Sequence, residues 1–428
     1  MIRKLCLCAL MLLGATACGG RYQGVATRAW DQMARSNTDQ ALAAYEKVDR
    51  PQDQLLRILD EAILLRVARR FEESNQRFFE AARILETRDY LSLTGEAAGL
   101  LADQRAVFYQ GEDFEKVLVH LYLALNFLAL EDRDSALVEV RRVNEIMTRF
   151  ISEAKRPYQL NAFARYLGAL LYEASREFND AWIAYRATRE ILSAQSKEEW
   201  PELLVDMARM AKRMGFRDEL ESLKEEMSSS SKELFKRVSG PQTASVVLLF
   251  EAGKSPRKKS RRQRYQADAG DFLFPLAYYE SRPTRIRFAQ LLWEPSSQQQ
   301  ELSSRVLFDT DETGRRHLEH RMGVEVGKAL ARAGVRAGIA TGVGILTESE
   351  DLGILAGLLL FAMTDADTRS WLLLPQSYQV QRAFLAPGRY AFRLQYLDAS
   401  GRVIREEALD EIELGPGEIR FIQIRSFE

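Results

Sequence analysis

Apolar residues recur at every third or fourth position between about residue 25 and residue 238, which is the period of an α-helix. One such face reads Leu55, Ile58, Leu59, Ala62, Ile63 and Leu65, and another reads Leu118, Leu121, Tyr122, Leu125 and Leu128. The prolines of this half, Pro51, Pro157 and Pro201, each stand where a helix would begin, a position that tolerates proline. Turn signals follow roughly every 15–22 residues, so the pattern predicts about nine or ten stacked antiparallel helices.

The predicted turns share a chemistry that is typical of tetratricopeptide (TPR) repeats. An aromatic or acidic step opens a second helix at Phe71, at Glu112–Glu115 and at Phe178. Small residues stand where two helix backbones must approach, as at Ala136 and Gly168. This half of the chain is therefore predicted to be a TPR-like solenoid.

A solenoid of this kind curves and offers a concave groove. The groove predicts binding of a peptide or protein partner, because an open solenoid surface has little other use. The alternative is that the aromatic residues only pack one helix on the next, among them Trp30, Tyr45, Trp182 and Trp200.

Beyond Gly240 the period of the pattern shortens from about 3.6 residues to about 2, the period of β-strands. Strands are predicted at residues 245–250, 272–279, 286–292, 305–308, 378–385, 390–397, 402–409 and 419–424. Residues 241–428 are therefore predicted to form an antiparallel β-sandwich-like domain with a helical insertion at about 315–365. The fold class is α+β, with the solenoid at residues 25–238 preceding the β-rich domain.

The predicted insertion carries glycines spaced mostly by four or seven, which puts small residues on one helix face. One interpretation is a self-associating or membrane-touching helix pair. The other is an internal hairpin that packs against the sheet. Arg332 and Arg336 interrupt the apolar stretch, and the later apolar run Leu352–Met363 is short, so a transmembrane span is excluded.

The amino terminus reads as a lipoprotein signal. Arg3 and Lys4 precede a short apolar run, and small residues then lead to Cys18 in the sequence Ala-Thr-Ala-Cys. This resembles the bacterial lipobox, although the usual leucine is replaced by Ala15. Residues 1–17 are then a signal peptide, Cys18 carries the acyl chains, and residues 18–24 form a tether. The alternative is an ordinary secretory signal.

The residue after the cysteine, Gly19, is not an aspartate, which by the sorting behaviour of such lipoproteins implies the outer membrane and a body facing the periplasm. All three cysteines lie at or before Cys18, so the mature chain has no internal disulfide or cysteine-ligated metal site.

Lys and Arg number 60 and Asp and Glu number 61, so overall charge does not indicate a nucleic-acid partner. Positive charge is concentrated in one predicted loop, whose candidate residues for an anionic surface are Lys254, Arg257, Lys258, Lys259, Arg261, Arg262 and Arg264. Lipid phosphates, lipopolysaccharide and peptidoglycan carboxylates are the candidate ligands. The alternative is a solvated loop.

No catalytic, cofactor or metal site is predicted. The chain has no Gly-x-Ser-x-Gly elbow, P-loop or Ser-x-x-Lys set. His317 and His320 are three apart on a predicted helix and face one another as metal ligands can, but the neighbouring arginines oppose a cation.

The block Arg369–Pro375, followed by Gln379–Arg382 and Pro387–Tyr390, resembles an uncharacterised family of proteobacterial TPR lipoproteins, as do Leu249–Pro256 and Tyr122–Asn126. Members are often encoded beside outer-membrane lipoproteins that activate peptidoglycan synthases. The resemblance implies a role in cell-envelope assembly and supplies no catalytic residues. Within the block, Trp371 is expected to plug the sandwich and Arg369 to pair an acidic neighbour.

These observations predict a membrane-anchored periplasmic scaffold whose solenoid binds envelope proteins. The alternative is a solute- or glycan-binding lipoprotein with a pocket at the junction of the two domains. An enzyme acting on the cell wall would need two converging carboxylates, and the sequence offers no such pair.

Overall fold

The computed structural model describes residues 18–35, 37–48, 50–92, 108–149, 160–195, 200–267, 270–293, 303–321 and 366–427. The predicted signal peptide, Pro157, and most of the predicted helical insertion with its glycines lie outside the described residues.

The described first half is helical throughout. Its helices are α1 (Cys18–Ala34), α2 (Thr38–Tyr45), α3 (Gln54–Val67), α4 (Phe71–Ser92), α5 (Asp113–Ala129), α6 (Arg133–Arg149), α7 (Ala162–Ala174), α8 (Phe178–Ala194), α9 (Pro201–Met214), α10 (Arg217–Glu226) and α11 (Ser229–Val238). A 3₁₀ turn at Pro51–Asp53 precedes α3. Odd- and even-numbered helices pair as the hairpins α1/α2, α3/α4, α5/α6, α7/α8 and α9/α10.

Four of these hairpins turn in the same way. Arg69, Glu131, Arg176 and Gly215 adopt left-handed φ angles of 60°, 61°, 62° and 73° just after the first helix. The next N–H then bonds back to the first helix, at 2.9 Å for Arg70 to the Leu65 carbonyl and for Glu177 to the Tyr172 carbonyl. This is the Schellman arrangement, which satisfies the last carbonyls of the helix. Its repetition establishes the helical half as a TPR-like array.

Two predictions for this half are corrected by the helix bounds. Glu112 caps α5, and its carboxylate and that of Glu115 form a capping box there, so Glu112–Glu115 open a first helix and not a second one. Residues 18–24 belong to α1, and Tyr22 is buried with its hydroxyl on Asp60. The chain from Tyr22 onward therefore belongs to the folded body and is not a tether, because the aromatic ring of Tyr22 is buried in the core.

The second half contains eleven described strands. They are β1 (Ala244–Ala252), β2 (Arg257–Ala267), β3 (Gly270–Glu280), β4 (Phe288–Trp293), β5 (Arg305–Asp309), β6 (Ser377–Leu385), β7 (Gly388–Tyr390), β8 (Phe392–Leu397), β9 (Val403–Ala408), β10 (Ile412–Leu414) and β11 (Ile419–Arg425). Residues 310–321 are helical.

The strands form four small sheets, ordered β11-β1-β6-β5, β4-β8-β9, β2-β3 and β10-β7. Most pairs are antiparallel, but β1 and β11 are parallel, with Val247 opposite Phe421. This arrangement is roughly compatible with the predicted sandwich without confirming it.

The central strand β1 is buried along its whole length because both of its faces are covered. Val247 and Leu249 belong to a core that is continuous with the solenoid. Val246, Leu248 and Phe250 belong to a second core with residues of β4 and β8. The solenoid and the β-rich half therefore share one hydrophobic core, and neither is packed as an independent unit.

Candidate functional site

The concave side of the solenoid is filled by the chain itself. Residues 369–375 contact the first helices, with a turn at Leu372 and Leu373, and Trp371 to Leu374 are each at most 2% exposed. The indole of Trp371 lies 6.1 Å from the Phe78 ring and 5.9 Å from the Tyr122 ring, measured between centroids. Trp371 thus packs in the core that contains the solenoid residues and not in the second core between the sheets, so the expectation that it plugs the sandwich is corrected.

Four buried carboxylates face this segment and the neighbouring strand β6, one from each of the first helices α3, α5, α7 and α9. They are Asp60, Glu115, Glu173 and Asp206, and are called the carboxylate row below. Each accepts a hydrogen bond from a tyrosine hydroxyl, donated by Tyr22 and Tyr45, Tyr109, Tyr185 and Tyr166 respectively. Each also holds a group of the β-rich half.

Asp60 and Glu115 bind backbone N–H groups of the groove segment. The Leu373 N–H donates to Asp60 at 3.3 Å, and the Trp371 N–H donates to Glu115 at 3.1 Å. Burial raises the pKa of Asp60 to about 7, although the Tyr22 and Tyr45 hydroxyls oppose that shift. Burial and the adjacent Glu112 charge raise the pKa of Glu115 to about 7. Within the groove segment, Asp60 and Glu115 therefore bind main-chain N–H groups rather than side chains.

Glu173 and Asp206 bind a cation, Arg382 on β6. The Arg382 guanidinium lies 2.8 Å from each carboxylate, and Arg209 on α9 reaches Glu173 at 3.0 Å. Burial by itself would raise the pKa of Glu173, but Arg209 and Arg382 hold it well below its ordinary range. Burial and the neighbouring Glu173 charge raise the pKa of Asp206 against the pull of Arg382.

A third set of contacts ties β1 to the middle of the solenoid. The Tyr122 hydroxyl donates to Glu251 at 2.8 Å and lies 2.9 Å from the Tyr378 hydroxyl. Arg66 on α3 reaches Glu251 at 3.3 Å and donates to Gln423 at 2.7 Å. The polar groups on the concave face therefore hold the two halves together.

The prediction of a basic loop is wrong, because most of that segment forms strand β2. Residues 257–267 pair with β3 in an unbroken antiparallel register, which satisfies their backbone groups. Lys258 is 7% exposed and lies 2.6 Å from Glu112, and Lys259 pairs with Glu280. Burial opposes the charge of Lys258, but Glu112 holds its pKa above the ordinary value.

The other candidate basic residues are dispersed. Lys254 lies over the Trp30 ring at 5.1 Å, and Arg257 donates to Thr27 at 3.2 Å. Arg261 and Arg262 are exposed on the later part of β2. Of Arg264, the structure describes the backbone pairing alone. Lys258 and Lys259 are thus engaged by carboxylates, whereas Arg261 and Arg262 are exposed.

His317 is a structural residue of this region. It is fully buried, its Nε2 lies 2.8 Å from Glu112, and its ring meets Phe114 edge-on. Within the described part of the chain, no group of three or more His, Cys, Asp or Glu side chains is arranged to hold a metal ion. Among the described helices, none has the length and apolar character needed to cross a bilayer.

A cleft of about 910 Å³ opens at the junction of the two halves. The solenoid side contributes the apolar residues Ile63, Val67, Phe71, Leu128 and Ala129 together with the charged residues Arg66, Arg69, Glu131, Asp132, Arg133 and Asp134. The opposite wall carries Tyr396 and Glu407, and most of strand β11 lines the space between them. In the described sheets β11 pairs with β1 and has no strand on its other side. The cleft therefore exposes an open sheet edge.

Comparison with family models gives no match, and comparison with curated proteins gives none either. Among solved structures, the helical half is similar to the nearly identical TPR-like repeats named for a kinesin light chain of Podosopora anserina, at 13% identity over 51% of this chain and 98% of that one, with a TM-score of 0.34. The apo form of RapI is 12% identical over 50% of this chain and 70% of its own, with a TM-score of 0.35. PilF of Pseudomonas aeruginosa is 16% identical over 51% of this chain and 99% of its own, with a TM-score of 0.21. These scores are too low to carry an argument about function.

The sequence reasoning missed the carboxylate row. Its signal is an acidic residue inside the apolar face of each first helix, as Asp60, followed by Glu61, stands between Leu59 and Ala62. Such a residue must find donors when it is buried, so a row of them predicts a polar partner across the groove.

Proposed function

We propose that the chain is a membrane-anchored interaction scaffold of the bacterial cell envelope, held by acylated Cys18 at the outer membrane and facing the periplasm. Its partner is a protein, and the binding site is the junction cleft. The observation that carries this proposal is the position of β11, an edge strand of the described sheets, along a cleft whose solenoid side presents both apolar and charged residues.

The concave groove is not the partner site, because a partner would have to displace the chain's own segment. Burying a large apolar side chain stabilises by about 1.5–3 kcal/mol, so Trp371 and the three leucines that follow contribute roughly 6–12 kcal/mol. The backbone bonds to Asp60 and Glu115 add to that sum. A partner that matched all of these contacts would gain nothing over the resident segment.

The open edge of β11 suits an added strand. Unpaired backbone groups at a sheet edge are a template for another chain, and several peptide-binding domains use them in this way. A strand occupies about 160 Å³ per residue, from about 4.8 Å between strands, 10 Å between packed faces and 3.4 Å along the chain. The cleft of about 910 Å³ therefore accommodates roughly five or six residues of an extended peptide.

The walls of the cleft define the chemistry of that peptide. Side chains of a strand point alternately to opposite faces. One set would meet the solenoid side, where Val67, Phe71 and Leu128 are apolar, and the other would meet Tyr396 and Glu407. The expected partner segment is therefore extended, with apolar residues at alternate positions and polar residues between them.

Site-specific photo-crosslinking in cells tests this assignment in the full chain. The crosslinking residue replaces Ala129 on the solenoid side of the cleft, and Ile183, which is 54% exposed on α8, serves as the control position. We expect a protein adduct from position 129 and not from position 183. The captured peptide, made synthetically, should bind the purified chain and lose that binding in Ala129→Trp but not in Ile183→Trp. Equal adducts from both positions would exclude the cleft as the partner site.

The alternative, a solute or glycan in the same cleft, is supported by the position of the cleft at the domain junction and by Phe71 and Tyr396 in its walls. Several of its charged groups are paired with one another, as Arg66 is with Glu251 and Arg420 is with Glu418. A small-molecule mass on residue 129, with no protein adduct, would favour this alternative.

The anchor is tested independently. Cys18 is the first residue of α1, and Tyr22 follows one helical turn later, about 6 Å along the axis. An acyl chain on Cys18 would therefore hold the body of the protein directly against the bilayer. Labelling with a fatty-acid analogue should mark the wild-type chain and not Cys18→Ala. Equal labelling of both would contradict the anchor and leave the partner site untested by this result.

A further inference from the structure

Strand β2 lies along helix α1 and runs in the opposite direction. Three contacts define this, from Lys254 to Trp30, from Arg257 to Thr27 and from Lys258 to Gln23. The last is a hydrogen bond of 3.1 Å from the Gln23 amide to the Lys258 carbonyl. Successive residues from Lys254 to Lys258 therefore contact residues of α1 that lie progressively closer to Cys18.

The hairpin of β2 and β3 extends past the start of α1. Four residues of strand beyond Lys258 advance by about 13 Å. The helix from Gln23 back to Cys18 covers only about 7.5 Å. Continued in the direction of these three contacts, the strand reaches the level of Cys18 by Arg262.

Burial of the side chains decreases along β2 in the same direction. Lys258 is buried against Glu112, and Lys259 is half-buried and paired with Glu280. Arg261 and Arg262, which come next, are both exposed. The strand thus leaves the body of the protein between Lys259 and Arg261, and its positive charge is presented at the level of the anchor residue.

The residue types of the distal half combine charge with aromatic groups. In the backbone register, Arg264 lies opposite Leu273, Tyr265 opposite Phe272 and Gln263 opposite Phe274. Basic and aromatic residues together are characteristic of segments that lie in the headgroup region of a bilayer.

We propose that the hairpin of β2 and β3 is a membrane-contact element that binds anionic lipid headgroups through Arg261 and Arg262. Its placement beside the bilayer rests on the proposed acylation of Cys18, whereas its affinity for lipid does not. The acyl chains and the hairpin then form two contacts at the same end of the solenoid. Such a pair fixes the orientation of the body and leaves the junction cleft at a constant height above the bilayer.

Vesicle sedimentation tests the proposal on the mature chain with Cys18→Ser, which removes the acyl chains. The vesicles contain phosphatidylcholine alone or phosphatidylcholine mixed with phosphatidylglycerol. We expect binding to the anionic vesicles only, because each arginine near an anionic surface contributes about fivefold in affinity. The pair Arg261→Glu and Arg262→Glu should lose about 30-fold or more. The control pair Lys232→Glu and Lys236→Glu reverses the same charge on α11, at the other end of the solenoid, and should bind as the parent does.

A fluorescence measurement gives a second readout. The mature chain has no cysteine other than Cys18, so Arg262→Cys in the Cys18→Ser chain can be labelled with an environment-sensitive dye. The dye should shift to the blue with anionic vesicles, and the same dye on Lys236→Cys should not. Equal vesicle binding by the hairpin and control variants would overturn the proposal, as would binding to purified peptidoglycan sacculi but not to lipid. Peptide binding at the junction cleft is also measured on the variant that carries Arg261→Glu and Arg262→Glu. This measurement tests the proposed scaffold function independently of the membrane contact.

Discussion

The guanidinium of Arg382 on β6 lies 2.8 Å from the carboxylate of Glu173 on α7, although the two residues are 209 positions apart in the chain. Both side chains are at most 5% exposed. This contact, with Asp206 and Arg209 beside it, joins the last repeats of the solenoid to the central sheet. The carboxylate row as a whole has the same role, so its main contribution is to hold the two halves in one fixed arrangement.

Breaking the Arg382 contacts should be severely destabilising. Arg382→Leu leaves Glu173 and Asp206 buried with one fewer cation, and removing one partner of a buried ion pair costs about 3–5 kcal/mol. Arg382→Lys should lose part of that stability. The planar guanidinium can bridge both carboxylates, and an ammonium cannot reproduce that geometry. Urea denaturation measures the change. Arg389→Leu, which breaks an exposed pair with Glu413, is the control and should change stability by about 1 kcal/mol or less. An effect of Arg382→Leu as small as that of the control would contradict the burial of this network.

Stability should fall as the pH rises toward neutrality. Burial raises the pKa of Asp60 from 3.8 to about 7, so the carboxyl binds its proton more tightly in the folded chain. Its contribution is fully present below about pH 4 and is lost as the pH rises through about 7. Asp60→Asn keeps a neutral side chain at every pH and should flatten the dependence. Denaturation at about pH 5 and about pH 8 measures the slope. Asp31→Asn, at an exposed site on α1, is the control; if it flattened the slope as much as Asp60→Asn, Asp60 would not be responsible.

The segment in the groove should behave as core. Trp371→Ala leaves a large cavity and should cost about 3–5 kcal/mol. Trp371→Phe should cost much less, because it keeps most of the ring volume and removes a buried indole N–H that has no hydrogen-bond partner. Hydrogen exchange gives the complementary measurement, in which the amides of Trp371 and Leu373 should be protected as strongly as those of β1. Fast exchange at these two amides would mean that the groove opens, and the concave face would again be a candidate partner site.

The hairpin turns offer a stabilising change. Arg176 is exposed and adopts a left-handed φ of 62°, which is unfavourable by about 1–2 kcal/mol for a residue with a Cβ atom. Arg176→Gly should therefore raise stability by about 1 kcal/mol. Gly215 occupies the same place in the next hairpin, so Gly215→Ala should lower stability by a similar amount. The added Cβ would meet no atom within 4 Å, so the loss comes from the left-handed φ alone. Thermal unfolding of the two variants checks both signs, and a loss of stability in Arg176→Gly would show that its side chain matters more than its backbone.

Much of the secondary structure could be predicted from residue pattern alone. The strand predicted at 245–250 is the middle of β1, and that predicted at 419–424 is nearly the whole of β11. Pro201 stands in the first turn of α9, as expected for a proline with its fixed φ. These features are local, because a helical or strand period depends on neighbours in the sequence.

Strand β2 could not be predicted in this way. Its run of lysines and arginines is unusual for a strand, since β-propensity favours apolar and branched residues. It becomes a strand because β3 supplies its backbone hydrogen bonds and Glu112 neutralises Lys258. Glu112 lies 146 positions away in the chain, so no local pattern contains that part of the information.

The sequence by itself determined the division into a helical half and a β-rich half and the repeated helical hairpins. Only the tertiary structure decided that the solenoid closes over Trp371 and that β11 is an edge strand of the described sheets. The physical reason is that an amphipathic helix specifies a buried face but not what will cover it. Here the cover is a segment that comes more than 300 residues after Asp60, as the contact with Leu373 records at 313 positions.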